Sequence, residues 1–190
     1  MAKKKLILVT SPPACGKTFV TKTLARSLNN CVYLDKDDLI VLSKQIYKVA
    51  GEPFDRSSDF FNENIRDAEY DAVLEIAFSA LSYNDTVLIN APFKKEVRDQ
   101  KWLADMRKKL AVKNAELCII WVHTDIDIVH QRMVARNSER DTWKIEHWDE
   151  YVATQNYDPP TDIPELFIFK NSNDKEFDES IEKAVDFIRG

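Results

Sequence analysis

Glycine is scarce in this chain. Three glycines and seven prolines in 190 residues exclude collagen-like and low-complexity architectures. Cysteine is scarce too: Cys15, Cys31 and Cys118 are odd in number and show no paired spacing, so a reducing, cytoplasmic setting is expected. None of the histidines, His123, His130 and His147, stands in an H-x-x-x-H or H-E-x-x-H pattern, and C-x-x-C is missing, which removes the usual zinc signatures. Without a G-x-S-x-G elbow there is no serine-hydrolase nucleophile. No apolar run approaches the roughly 18 residues of a membrane span, and the run at 6–9, after Lys3, Lys4 and Lys5, is too short for a signal-peptide core. A basic excess is also lacking. Lys and Arg total 27 against 32 Asp and Glu, a net charge of −5 that disfavours a duplex-binding surface but not a local basic pocket.

What is present is a core. Hydrophobic residues make up 44% and charged residues 31%, which suits one globular domain spanning 1–190 and excludes global disorder. Five short runs, at 6–9, 32–34, 87–89, 117–122 and 166–169, read as buried strands. Longer segments of helical period lie between and after them, at 19–28, 61–81 and 179–188. Within 61–81, Phe61, Ile65, Ala68, Ala72, Ile76 and Ala80 predict one helix with one apolar stripe. This alternation predicts an α/β fold with a parallel sheet covered on both faces. Residues 137–160 break the rhythm with Trp143, Trp148, Tyr151, Tyr157 and a Pro159-Pro160 stop. They read either as a helical lid, about 137–157, or as an insertion packed on the core, and the aromatics either close over a ligand or pack the flap.

The first run leads into Ser11-Pro12-Pro13-Ala14-Cys15-Gly16-Lys17-Thr18, and a helical segment follows at once. Strand, tight turn and helix in that order aim successive backbone N–H groups at one point and add the positive end of the helix dipole. Lys17 can then reach β- and γ-phosphate oxygens, and the Thr18 hydroxyl can bind Mg²⁺. Ser11 replaces the first glycine of the usual pattern, and Pro12 and Pro13 have no N–H to give. The cradle donors come from Ala14 onward, so both departures are tolerable.

These residues resemble the G-x-P-x-S-G-K-[ST] loop of small P-loop kinases, a group that includes nucleoside-monophosphate, shikimate and gluconate kinases, polynucleotide 5′-kinase, chloramphenicol phosphotransferase and the zeta toxins. The resemblance implies a three-layer sandwich with a five-stranded parallel sheet ordered 2-3-1-4-5 and a helical lid. It also implies ATP as phosphoryl donor and Mg²⁺ as cofactor, with Ala14, Cys15, Gly16, Lys17, Thr18 and Phe19 around the nucleotide. The second strand runs into Asp35-Lys36-Asp37-Asp38. A kinase needs one carboxylate for the acceptor hydroxyl and one to organise Mg²⁺ through water. By resemblance Asp37 takes the first role and Asp35 the second, although Asp37 or Asp38 could instead cap the helix near Leu39.

Asn90 ends the third strand where many P-loop ATPases carry a Walker B acid, so a motor-type ATPase is disfavoured. It is expected either to hydrogen-bond the acceptor or to be ordinary strand-end polarity. Arg132, Arg136 and Arg140 follow the fourth strand at intervals of four. Guanidinium groups so placed stabilise a moving phosphoryl group. By resemblance Arg136 and Arg140 contact phosphate and Arg132 lies near the adenine; the alternative is a solvated face paired with Glu139 or Asp141. Arg56 and Arg66 sit where related kinases bind the acceptor, or are surface charges. Cys15, at a helix N-terminus beside Lys17, is expected to be an acidic, reactive thiol. The expected activity is an ATP- and Mg²⁺-dependent phosphotransfer to a hydroxyl of a small molecule or nucleotide, with nucleic acid and membrane not expected as partners. Polynucleotide 5′-hydroxyl kinase and a non-catalytic ATP-binding regulatory or toxin–antitoxin module stand as alternatives.

Overall fold

The computed structural model describes residues 3–138 and 141–190. Strand β1 (Lys4–Thr10) carries Leu6, Ile7, Leu8 and Val9 with no exposure at all, as expected of a strand covered on both faces. Successive side chains leave it in opposite directions. Leu6 and Leu8 enter one apolar cluster, Ile7 and Val9 another. Strand β2 (Cys31–Asp35), β3 (Thr86–Asn90), β4 (Ala115–His123) and β5 (Leu166–Lys170) complete a parallel sheet ordered β2-β3-β1-β4-β5, the order that the resemblance implies.

Helices α4 (Arg66–Ala80) and α5 (Gln100–Val112) cover one face of the sheet. Helices α1 (Lys17–Ser27), α6 (Ile126–Arg136) and α9 (Asp174–Arg189) cover the other. Before α4 come α2 (Ile40–Ala50) and the short α3 (Asp59–Asn64). The single helix expected over 61–81 is thus two. Ser58 caps α3 by accepting from the Phe61 N–H, and Ile65 breaks the run at φ −124°, ψ −41°. The break resets the helical phase. Ala68 and Ile76 face solvent, and Tyr70, Val73, Leu74, Ala77 and Phe78 face the core instead. Burying that larger set removes far more apolar area from water than the predicted stripe would.

Past Asn137, a left-handed residue at φ 45° that ends α6, lie α7 (Thr142–Glu146) and α8 (Trp148–Ala153). Tyr151 is 5% exposed, and Trp148, Val152 and Tyr157 pack beside it against the cluster under α1. The segment therefore lies on the core in this structure. No helix among the described residues is long and apolar enough to cross a membrane.

Candidate active site

The sheet order reverses at β1, and in such sheets the crevice beyond the strand ends is where ligands bind. The turn after β1 fills that crevice. Ala14 and Gly16 both take left-handed backbone, at φ 60° and 82°, and α1 starts at once with Lys17. Alternation of this kind turns consecutive amides to one side. None of the N–H groups of Ala14, Cys15, Gly16, Lys17 and Thr18 finds an acceptor among the described residues.

The carbonyl side of the turn, by contrast, is held. The Cys15 carbonyl accepts from the Asn171 amide at 2.7 Å, the Thr124 hydroxyl at 3.1 Å and Arg132 at 3.4 Å. Arg132 also donates to the Asn171 carbonyl at 2.8 Å. These donors anchor the back of the loop and leave its amides facing out. Space is closed there as well: a Cβ on Gly16 would stand 2.5 Å from the Asn171 side chain. Arg132 therefore belongs to the scaffold of the cradle, rather than to a solvated ladder. Thr124 and Asn171 were not singled out by sequence reasoning. Their signal is positional: each directly follows a strand, β4 or β5, at the end that faces the crevice.

Cys15 departs from expectation. It is 1% exposed, and burial pushes its thiol up to about 12, against which Thr124, Arg132 and Lys94 pull only weakly. Loss of solvation outweighs the helix end and the nearby cations, so this is a packed thiol and not a nucleophile.

Across the cradle, Asn90 joins the charged groups. Its side-chain oxygen accepts from Lys17 Nζ at 2.6 Å and from the Thr21 hydroxyl at 3.3 Å. Its amide nitrogen donates to Asp35 Oδ2 at 2.7 Å and to the Thr18 hydroxyl at 3.3 Å. Parallel pairing makes this possible, because β2 and β3 place Asp35 directly opposite Asn90. Burial lowers the Lys17 pKa, and the carboxylates of Asp35 and Asp37 pull the other way. Burial alone would raise Asp35, but hydrogen bonds from Tyr33, Asn90 and the Asp37 N–H, with the charge of Lys17, hold it below the usual carboxylate range. An ionised Asp35 thus lies within one side chain of the Thr18 hydroxyl.

Asp37 stands apart from this network. Its side chain is 68% exposed and meets Arg56 at 3.3 Å and Lys36 at 3.9 Å. The local cap is Asp35, which accepts from the Asp37 N–H, so neither Asp37 nor Asp38 serves α2 as a side-chain cap. Arg136 is engaged by Asp141, whose buried carboxylate also accepts from Lys144 at 3.1 Å. Arg140 lies outside the described residues. Phe19 is 64% exposed at the mouth of α1, its ring 5.2 Å from Phe177. Arg56 and Arg66 are not free surface charges; both are partly buried in ion pairs, with Glu69 and Glu96. Trp148 packs on His130 with ring centres 4.3 Å apart, and Trp143 stacks on His147 at 4.9 Å.

A family model described as an AAA domain matches residues 6–159. A structure from Chloroflexus aurantiacus is similar over 99% of this chain and 98% of its own, at 18% identity and a TM-score of 0.65. A gluconokinase from Sinorhizobium meliloti is similar over 98% of this chain and 91% of its own, at 12% identity and a TM-score of 0.57. The APS kinase of Mycobacterium tuberculosis, solved with AMPPNP and APS, covers 100% of both chains at 18% identity and a TM-score of 0.51. At such identities the likeness is one of fold. No curated protein sequence matches the chain.

Proposed function

The chain belongs to the AAA-domain family, and from that premise we propose that it is an ATP- and Mg²⁺-dependent kinase that transfers the γ-phosphoryl group to a hydroxyl of a small molecule or nucleotide. The observation that carries this reading is the set of outward amides at Ala14 to Thr18, without an acceptor among the described residues and backed by three donors on the Cys15 carbonyl. Buried or half-buried N–H groups without partners are costly, and a phosphate oxyanion satisfies them at a helix N-terminus. The gluconokinase and the AMPPNP-bound APS kinase that share the fold support the same direction.

The donor set suits Mg²⁺ that arrives with its phosphates. Among the described residues no group of three or more His, Cys, Asp or Glu comes together that could hold a metal ion, while Thr18 is an exposed residue and Asp35 is ionised nearby. Bound there, the cation would neutralise the β- and γ-phosphate oxygens. Thr18 would hold it directly and Asp35 through water. Lys17, which donates to Asn90 at 2.6 Å and is half-buried, would gain a full counter-charge when phosphate enters. Asp37 orients the acceptor hydroxyl and takes its proton as the new oxygen–phosphorus bond forms. Arg136, with Arg140, is assigned to the phosphoryl oxygens, which requires Arg136 to exchange Asp141 for phosphate.

The test is a screen of nucleosides, sugars, antibiotics and short oligonucleotides for transfer of γ-phosphate with Mg²⁺. Lys17→Ala should abolish transfer. Asp37→Asn should keep nucleotide affinity within about threefold while turnover falls by about 10²–10⁴. An Asp37→Asn protein with unchanged turnover removes that residue from the reaction.

A further inference from the structure

Between α3, α4 and the loop after β3 lies a cleft of about 260 Å³ lined by Lys36, Arg56, Arg66, Lys94 and Lys95 and by no acidic side chain. In a chain of net charge −5, five cations on one small cleft are a concentrated departure from the whole. They are also held in place. The Arg66 guanidinium lies 4.4 Å over the Tyr70 ring, Arg56 lies 5.0 Å over Phe61, and Lys36 sits 5.3 Å from Tyr70. Stacked guanidinium planes keep their N–H edges free for forked hydrogen bonds.

Among the described residues the buried compensation comes from behind the wall, and it is incomplete. Glu69, 4% exposed, pairs with Lys36 at 2.5 Å and Arg56 at 2.6 Å, and Glu96 pairs with Arg66 at 2.6 Å. The other acids in reach, Asp37 and Asp67, are 68% and 83% exposed and are screened by water. Lys94 is partly buried and donates to a neutral partner, Gln155 Oε1, at 3.1 Å. Burial lowers its pKa, and the charges of Arg98, Arg66 and Lys144 push the same way. Lys95 is exposed at the rim. Two lysines thus face the cleft without a carboxylate among the described residues. A half-buried cation surrounded by cations is unfavourable unless an anion joins it.

We propose that this cleft holds a phosphate monoester already present on the acceptor. The substrate is then a small hydroxyl compound such as a sugar phosphate or a nucleoside monophosphate, and the product carries two phosphoryl groups at separate positions. This rests on the kinase reading above and names the acceptor class for it. A phosphate monoester brings a charge of about −1.5 to −2, which matches two unpaired lysines, whereas a single carboxylate brings half of that. At about 260 Å³ the cleft takes the phosphate end of such a molecule rather than the whole of a larger ligand. Position agrees with chemistry. Arg56 bridges the cleft to Asp37 through one guanidinium nitrogen at 3.3 Å while the other stays with Glu69 at 2.6 Å. When the acceptor's phosphate takes the outer nitrogen, Asp37 is released for the hydroxyl. In the transfer the γ-phosphorus bond to the β–γ bridging oxygen breaks and its electron pair leaves with ADP. The acceptor oxygen bonds to that phosphorus, and its proton passes to Asp37.

Two arms test this. In Lys17→Ala protein, which removes the cradle lysine, inorganic phosphate titrated at constant ionic strength should still bind. Adding Lys94→Gln should weaken that binding about tenfold, and adding Lys95→Gln, at an exposed position safe for folding, about threefold. Loss of all phosphate binding in Lys17→Ala alone, or affinity unmoved by either second substitution, overturns the proposal. In the second arm, matched acceptors are compared with ATP and Mg²⁺: nucleosides against their monophosphates, hexoses against hexose phosphates and against aldonates. The phosphorylated member should lead its parent at least 100-fold in kcat/KM. Preference for the uncharged or carboxylate member, or for a 3′-phosphorylated oligonucleotide over the mononucleotide, overturns it. If no compound accepts phosphate at all, the kinase reading falls, and the titration still decides the cleft.

Discussion

Asn90 is the residue on which the chemistry of the site converges. An amide offers a donor and an acceptor at once, so one side chain satisfies the Lys17 ammonium and the Asp35 carboxylate together. An acid at this position could accept from Lys17 but would face Asp35 with like charge. Sequence reasoning saw that Asn90 ends a strand and carries no charge. It could not see the bridge, because that depends on the register that sets Asp35 opposite Asn90. Replacing Asn90 by leucine keeps the branched shape and removes all four of its side-chain hydrogen bonds. Two charged groups then lose a buried partner, and chemical denaturation should show a loss of about 1–3 kcal/mol. Added Mg²⁺-nucleotide should recover part of that loss, since it supplies Lys17 with a new counter-charge. A protein as stable as wild type would mean that the bridge contributes nothing. Cys15 teaches the converse lesson. Its neighbours in sequence suggest an acidic thiol, but the side chain packs into an apolar cluster with residues distant in the chain, such as Val129 and Phe169, and is shut off from water.

At the scale of elements, the strands were legible because each is short, apolar and bounded by polar turns. Helix phase was less so. The 61–81 segment supports two apolar stripes of similar period, and only the packing of Tyr70, Leu74 and Phe78 on the sheet decides between them. The junction of α6 and α7 shows the same dependence on partners. Arg136 and Lys144, from two helices, meet on Asp141, whose carboxylate is fully buried. Burial would raise the Asp141 pKa, but hydrogen bonds from Lys144 and Arg136 and their charge carry it below the usual carboxylate range. A carboxyl depressed in the folded state binds its proton more readily when unfolded. Its contribution is therefore complete above the ordinary aspartate value and is lost as pH falls through the lower folded value. Asp141→Asn should cost about 1–3 kcal/mol at neutral pH. The gap to wild type should close as pH drops below about 4. A gap independent of pH would show that the charge on Asp141 does not hold the two helices.

For the molecule as a whole, the order β2-β3-β1-β4-β5 sets the loop after β1 at the switch point, with the end of β3 and the acids after β2 on one side. Arg132, Thr124 and Asn171 then brace it from the other. Half of this arrangement could be read from the chain: the Gly16-Lys17-Thr18 cradle, the acids and the sheet. The bracing residues could not, because single threonines and asparagines at strand ends carry no local pattern. The cationic cleft was equally hidden, since its five side chains come from four separate stretches of sequence. All of it converges on one claim, that the amides of Ala14 to Thr18 are open for a triphosphate. The direct measurement follows those five backbone N–H resonances as Mg²⁺-ATP is added. The account predicts that they shift together, saturate in the micromolar to low millimolar range, and fail to do so in Lys17→Ala. Resonances that stay in place at several millimolar nucleotide, while the protein remains folded, would contradict it.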